Sequence, residues 1–82
     1  MVKEVIRTKT FLRKLSNLDK SYFDRVEKLV NKIIQNPEVG KPRRHDRKGI
    51  REVYIPPFRL SYGYDKNSDS LTFLTIYHKD EQ

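Results

Sequence analysis

The stretch Gly49–Asp65, GIREVYIPPFRLSYGYD, contains two strand-like segments separated by a Pro-Pro turn. Residues Ile50–Ile55 and Phe58–Asp65 are rich in Val, Ile, Tyr and Phe, which favour strands. A third segment of this kind, Leu71–His78, follows the turn residues 66–69. Because the connections are short, the sequence predicts a three-stranded antiparallel meander.

Upstream of this stretch, the spacing of apolar residues is helical. Thr8 is a candidate N-cap, because its hydroxyl can accept a hydrogen bond from the first turn. The helix that it starts carries four apolar residues on one face: Phe11, Leu12, Leu15 and Leu18. The residues Asn17 and Asp19 then predict a tight break.

A second, longer helix is predicted from about Asp19 to Gln35, ended by Asn36-Pro37. Its broad apolar stripe comprises Tyr22, Val26, Leu29 and Ile33, joined by Phe23, Val30 and Ile34. Val2, Val5 and Ile6 predict a short opening strand. Residues 1–82 are therefore expected to form one α+β domain of order β-α-α-β-β-β, with the N-terminal strand and helical hairpin packed on one face of a small antiparallel meander sheet.

Composition restricts the functions that this chain can have. Its 82 residues include 18 Lys plus Arg against 11 Asp plus Glu, a formal charge of +7, which is typical of proteins that bind polyanions. The alternative is that the charge serves solubility alone. There is no cysteine and there are two histidines, so we expect no disulfide, no metal site and no cofactor. No apolar run is long enough to cross a membrane, so we expect a cytoplasmic protein without a membrane partner.

Alternation along Phe58–Asp65 predicts which side chains face the helices. Phe58, Leu60, Tyr62 and Tyr64 share one face, whereas Arg59, Ser61 and Gly63 share the other, which is expected to form an open, shallow floor. The guanidinium of Arg59 matches the geometry of a phosphate, which makes it the first candidate site residue. A salt bridge from Arg59 to Glu52 or Asp65 is the structural alternative.

A ribonuclease without a metal needs a base near the 2′-hydroxyl, cations at the phosphate and an acid for the leaving oxygen. Arg51 and Glu52 must face opposite sides of their strand, so either Arg51 joins Arg59 on the open floor or Glu52 offers a carboxylate base there. An imidazole can exchange a proton near neutral pH, which makes His78 a candidate acid or base, and Lys79 beside it can contact a phosphate or supply a proton. Tyr77 adjoins both as an accessory candidate.

The basic stretch Lys41–Lys48 has no apolar residue and is predicted to be a surface connection. Its candidate phosphate-binding residues are Arg43, Arg44, Arg47 and Lys48, with a solvated charged loop as the alternative. His45 lies in the same connection, where a catalytic role is less favoured.

The order of these segments resembles the RelE/ParE superfamily of type II toxin–antitoxin toxins. The resemblance rests on Gly49-Ile50-Arg51-Glu52, on Phe58-Arg59-Leu60-Ser61-Tyr62 and on the ending Tyr77-His78-Lys79-Asp80. It implies a RelE-like mRNA interferase, an endoribonuclease that cuts messenger RNA in the ribosomal A site and is held inactive by a cognate antitoxin. By motif position, Arg59 is expected to bind phosphate, Arg51 and Lys79 to supply strand and C-terminal basic groups, and His78 to act as acid or base.

The sequence departs from this pattern in one respect. Ribonuclease members commonly carry a tyrosine several residues beyond the C-terminal basic motif, whereas this chain ends at Gln82. Either Tyr77 or His78 substitutes for that tyrosine, or catalysis is weak. The superfamily also includes ParE-like inhibitors of DNA gyrase, which act by binding. A third alternative is a basic binding protein that acts with its antitoxin on operator DNA.

Overall fold

The computed structural model describes residues 2–42 and 49–81. For residue 81 it describes the backbone alone. The strands are β1 (Glu4–Arg7), β2 (Lys41–Pro42), β3 (Ile50–Ile55), β4 (Phe58–Asp65) and β5 (Ser70–His78). The helices are α1 (Lys9–Ser16) and α2 (Lys20–Gln35), and a short 3-10 helix follows β5 at Lys79–Glu81. The predicted phosphate-binding residues Arg43, Arg44, Arg47 and Lys48, together with His45, lie outside the described residues.

The strands form a single five-stranded sheet in the order β1-β5-β4-β3-β2. Strands β3, β4 and β5 are antiparallel neighbours, as the sequence predicts, and β2 pairs with the outer edge of β3. Strand β1 lies parallel to β5, which is possible because the intervening chain supplies a long crossover. The predicted α+β fold class is therefore confirmed, but the sheet is mixed and larger than the meander alone.

The boundaries of the helices follow from their caps. The side chain of Asp19 accepts a hydrogen bond from the Tyr22 N–H at 3.1 Å and starts α2, which ends at Gln35 before Asn36-Pro37, as predicted. Accepting that bond lowers the pKa of Asp19. No helix in the part of the chain that the structure describes is long and apolar enough to span a membrane.

The core lies between the helices and one face of the sheet. Its buried apolar side chains are Phe11, Leu15, Val26, Val30, Ile33, Ile55, Leu60, Tyr62, Leu71, Phe73 and Ile76. Two of the apolar residues assigned to the buried stripes do not belong there. Leu12 is 47% exposed, because Phe11 and Leu15 set the buried face of α1, and Phe23 is exposed in the first turn of α2.

A β-bulge in β5 determines which of its side chains enter the core. Ser61 pairs with Thr75, but Tyr62 pairs with Phe73, so Leu74 is an extra residue in β5. Alternation restarts after the bulge. Consequently Phe73 and Ile76 both face the helices, although they are three residues apart. Both faces of the segment Leu71–His78 are partly apolar in the sequence, so alternation alone does not predict which of its side chains face the helices.

The side chain of Thr8 holds this bulge in place. Its hydroxyl donates a hydrogen bond to the carbonyl of Leu74 at 2.9 Å and accepts one from the Phe11 N–H at 3.0 Å. The backbone N–H of Thr8 also donates to the carbonyl of Phe73 at 3.2 Å. The predicted N-cap of α1 is therefore confirmed, and the same hydroxyl satisfies the carbonyl of the bulged residue.

The hydroxyl of Tyr62 fixes the loop between α2 and β2 to the centre of the sheet. It donates to the carbonyl of Pro37 at 2.8 Å and accepts from the N–H of Gly40 at 2.9 Å. Burial raises the pKa of Tyr62. A Cβ atom at Gly40 would lie 2.7 Å from the Tyr62 hydroxyl oxygen, so this close approach requires glycine.

We expect Thr8→Val to lower the free energy of unfolding by about 1–3 kcal/mol, because it removes a helix cap and leaves the bulge carbonyl without its donor. Thr8→Ser keeps the hydroxyl and should lose much less. Urea unfolding followed by circular dichroism measures both. Equal stability of the two variants would contradict the role assigned to this hydroxyl.

Candidate functional site

Three side chains align on the face of the sheet opposite the helices, which we call the open face. Tyr54 in β3 pairs with Arg59 in β4, and Arg59 pairs with Tyr77 in β5. Directly paired residues point to the same side of a sheet. Because Leu60, the neighbour of Arg59, is buried against the helices, this row points away from them.

Glu52 joins this row, since it lies two residues before Tyr54 on the same strand. The hydroxyl of Tyr77 donates a hydrogen bond to Oε2 of Glu52 at 2.7 Å. The other carboxylate oxygen, Oε1, lies 3.8 Å from Nη1 of Arg59. The side chain of Glu52 is only 18% exposed and that of Arg59 is 35% exposed. A carboxylate, a guanidinium and a phenol therefore meet in a partly buried position.

Two cations approach the ring of Tyr54. The guanidinium carbon of Arg59 lies 5.8 Å from the ring centroid, and Nζ of Lys79 lies 5.9 Å from it. Both distances are within the range of cation–π attraction. We call Glu52, Tyr54, Arg59, Tyr77 and Lys79 the open-face cluster.

Arg59 has an unused donor. Among the described residues, its Nε is the one buried side-chain nitrogen or oxygen without a hydrogen-bond partner. A buried donor without a partner costs about 1–3 kcal/mol. A guanidinium can donate to an oxyanion through several N–H groups.

The environment of Tyr77 keeps its phenol protonated. Burial raises the pKa of Tyr77, and the hydrogen bond to Glu52 and the negative charge of that carboxylate raise it further. Arg59 opposes this shift. Since the ordinary value is 10.0, the Tyr77 hydroxyl is a hydrogen-bond donor at neutral pH.

The small residues of the open face are less exposed to solvent than the sequence predicts. Ser61, assigned to an open floor, lies in the row of Glu52 and Thr75 and is only 4% exposed. That part of the prediction is wrong, because the sequence does not show how far the longer side chains on neighbouring strands cover a small one.

His78 lies on the other side of the sheet, so the prediction that it approaches Arg59 is wrong. It pairs with Phe58, and the two rings meet edge to face with centroids 5.8 Å apart. Phe58 in turn packs edge to face on Tyr22 of α2 at 5.3 Å. The Nδ1 atom of His78 accepts a hydrogen bond from the Asp80 N–H at 3.2 Å. The bulge causes this placement, because it exchanges the faces of Tyr77 and His78.

Arg51 also lies away from the open-face cluster. It pairs with the buried Tyr62 and therefore faces the helix side. Its Nη1 donates to the carbonyls of Glu38 at 3.0 Å and Gly40 at 2.7 Å, so it fixes the loop that precedes β2. Of the two arrangements left open by the sequence, the structure has the one that puts Glu52 beside Arg59. Among the described residues, no group of three His, Cys, Asp or Glu side chains could hold a metal ion.

A family model described as the ParE toxin of the type II toxin–antitoxin system parDE matches residues 3–82. The chain is a toxin of the RelE/ParE superfamily. This confirms the family resemblance of its strand motifs. Among curated protein sequences, none matches the toxin at a significant level.

Solved structures agree with this assignment. The toxin–antitoxin complex RelBE2 of Mycobacterium tuberculosis matches with a TM-score of 0.81 and 25% sequence identity over 96% of this chain and 100% of that chain. The archaeal RelE–RelB complex from Pyrococcus horikoshii matches with a TM-score of 0.80 and 15% identity over 100% of both chains. YafQ from Escherichia coli matches with a TM-score of 0.75 and 16% identity over 94% of this chain and 93% of that chain. The two matches below 25% identity support the fold alone.

The structure brings Arg59, Lys79, Glu52 and Tyr77 together and separates Arg51 and His78 from them. Tyr54 is the one member of the cluster that was not among the site residues predicted from the sequence. A signal for it was present in the sequence, because the two-residue turn Pro56-Pro57 makes Ile55 pair with Phe58 and hence Tyr54 with Arg59.

We expect Glu52→Gln to lower the pKa of Tyr77, because the amide removes the negative charge that favours the protonated phenol. A pKa raised in the folded state stabilises the fold at pH values below the unfolded value of about 10, and this stability is lost as the pH rises through the folded value. The variant therefore loses part of this pH-dependent stability. NMR titration of the ring carbons of the five tyrosines measures the shift.

Asp69→Asn is the matched control, because Asp69 accepts a hydrogen bond from the Tyr64 hydroxyl at 2.9 Å and raises the pKa of Tyr64. It should move the titration of Tyr64 and leave that of Tyr77 in place. If Glu52→Gln left the Tyr77 titration unchanged, the hydrogen bond between these two side chains would be contradicted.

Proposed function

We propose that this toxin is a metal-free, ribosome-dependent endoribonuclease that cuts messenger RNA in the A site, and that the open-face cluster is its active site. The observation that supports the proposal most directly is the contact of Glu52 with both Arg59 and Tyr77, with Lys79 reaching the same cluster through Tyr54. These residues provide the base, the cations and the proton donors that cleavage by the 2′-hydroxyl needs.

Arg59 binds the scissile phosphate in this proposal. It sits on β4, between two paired strands, so its backbone position is fixed. Its contact with Glu52 at 3.8 Å is longer than a hydrogen bond, and its Nε has no partner among the described residues. A phosphate oxygen can therefore accept hydrogen bonds from the guanidinium as negative charge develops on the phosphate.

Glu52 acts as the general base. Its carboxylate takes the proton of the 2′-hydroxyl, the O2′–P bond forms, and the P–O5′ bond breaks. The products are a 2′,3′-cyclic phosphate and a 5′-hydroxyl. Tyr77 is a positioning residue, since its protonated hydroxyl holds one carboxylate oxygen at 2.7 Å. The role that the sequence suggested for His78 passes to Glu52, which is the carboxylate beside Arg59.

Lys79 donates the proton to the departing O5′. Its Nζ is 5.9 Å from the centre of the Tyr54 ring, which Arg59 also contacts, so both cations pack against one side chain of the open-face cluster. An ammonium also stabilises the charge of the leaving oxygen before the proton is transferred.

The partners proposed for the toxin follow from its charge and its relatives. A formal charge of +7 on 82 residues favours association with ribosomal RNA and messenger RNA in the cytoplasm. The similar RelBE2 and archaeal RelE structures are complexes with antitoxins. We expect a cognate antitoxin to bind this toxin and suppress cleavage, and operator DNA to be reached through that complex.

The test is incubation of the purified toxin with translating ribosomes, followed by mapping of messenger-RNA ends. Arg59→Ala should lower the cleavage rate about 10²- to 10³-fold, since it removes a cation at the developing charge. Glu52→Gln should lower it about 10²- to 10⁴-fold, since it removes the base.

His78→Phe is the matched control for this test. It changes the residue next to Tyr77 on the same strand, keeps a ring against Phe58 and leaves the open face intact, so cleavage should continue at the wild-type rate. Loss of cleavage in this variant with full activity in Glu52→Gln would place the active site on the helix side and overturn the assignment.

The second candidate function is inhibition of DNA gyrase by binding, without RNA cleavage. The match over residues 3–82 to a family described as ParE toxins favours it. A supercoiling assay with purified gyrase separates the two functions. Loss of supercoiling together with intact messenger RNA would support the gyrase function, whereas normal supercoiling with cut messenger RNA would exclude it.

A further inference from the structure

Tyr54 is a large aromatic residue that the fold does not bury. It lies in β3 on the open face and is 52% exposed, whereas its strand neighbour Ile55 belongs to the core. The backbone on which this ring stands is held in the sheet, because Tyr54 pairs with Arg59 of β4. Such rings serve as stacking surfaces for the bases of single-stranded nucleic acids.

Among the described residues, two cations pack over this ring. Arg59 and Lys79 lie 5.8 and 5.9 Å from its centroid. Cation–π attraction accounts for the contact of each cation with the ring. Arg59 is 35% exposed, its contact with Glu52 at 3.8 Å is longer than a hydrogen bond, and its Nε has no partner among the described residues, so its guanidinium can bind an anion beside the flat ring.

We propose that Tyr54, Arg59 and Lys79 form a nucleotide subsite, in which the ring stacks on a nucleobase and the two cations hold the phosphate attached to it. The inference rests on the proposed function in so far as that phosphate is the scissile one. Tyr54 is then the residue that contacts the base next to the cut and influences which base is accepted.

The chemistry of stacking predicts the base preference of this subsite. A purine offers a larger π-face to the ring than a pyrimidine, and Tyr54 presents a face rather than a set of hydrogen-bond donors. Adenine should therefore bind more tightly than uracil. Stacking on one aromatic residue raises affinity about 5- to 150-fold per base.

The first experiment measures binding without cleavage. The probes are 2′-O-methyl pentanucleotides of adenosine and of uridine, which lack the attacking hydroxyl, and an abasic pentamer with the same phosphates. Tyr54→Ala should weaken binding of the adenosine pentamer about 5- to 150-fold and leave binding of the abasic pentamer unchanged. Tyr54→Phe keeps the ring and should bind like the wild type. Equal effects of Tyr54→Ala on the two probes, or none on either, would overturn the inference.

The second experiment observes the base at the ring directly. The chain has no tryptophan, so Tyr54→Trp introduces a single fluorescent reporter at the subsite. Phe23→Trp places the same reporter at an exposed position on α2, on the helix side of the sheet, as a matched control. The adenosine pentamer should quench the first variant saturably and more strongly than the abasic pentamer does. Equal quenching of the two variants would contradict stacking at Tyr54.

These outcomes are independent of the cleavage assay. If Tyr54→Ala loses base-dependent binding while the wild type cuts no messenger RNA, the subsite stands and the nuclease proposal falls. If the wild type cuts messenger RNA while Tyr54→Ala binds both pentamers normally, the nuclease proposal stands and the subsite falls.

Discussion

The open face depends on one extra residue in β5. Without the bulge at Leu74, strict alternation would turn Tyr77 toward the helices with Phe73 and would put His78 on the open face. The bulge is stable because the Thr8 hydroxyl satisfies its carbonyl while capping α1. A contact between the start of the first helix and the last strand thus selects which side chains surround Arg59.

The open-face cluster combines a rigid scaffold with opposed charges. Four of its members stand on β3, β4 and β5, where strand pairing rather than a loop determines their positions, and Lys79 begins the 3-10 helix that follows β5. The carboxylate of Glu52 lowers the net positive charge around Arg59. The hydrogen bond from the Tyr77 hydroxyl holds this carboxylate in a defined orientation. The rest of the chain supplies the positive excess, which is typical of proteins that bind polyanions.

Local signals in the sequence predict the elements well, because helix caps and turns act over a few residues. Thr8, Asp19 and Asn36-Pro37 mark the helix boundaries correctly, and Pro56-Pro57 is sufficient to derive the pairing of Tyr54 with Arg59. The facing of β5 could not be derived, since the bulge depends on a residue 66 positions away in the chain. The prediction that His78 lies near Arg59 was therefore wrong, and Tyr77 and Lys79 lie there instead. The parallel pairing of β1 is likewise non-local. Arg51 lies on the helix side because it pairs with Tyr62, and the carbonyls that its guanidinium binds belong to the loop before β2.

The pairing of β1 with β5 has a consequence for how the protein is made. Residues 4–7 emerge first from the ribosome, but their strand partner is residues 70–73. The sheet cannot close, and Leu74 cannot receive its bond from Thr8, until β5 has been synthesised. Contacts of such large sequence separation form late in folding. The open-face cluster includes Tyr77 of β5, so it assembles only after β5 has been synthesised.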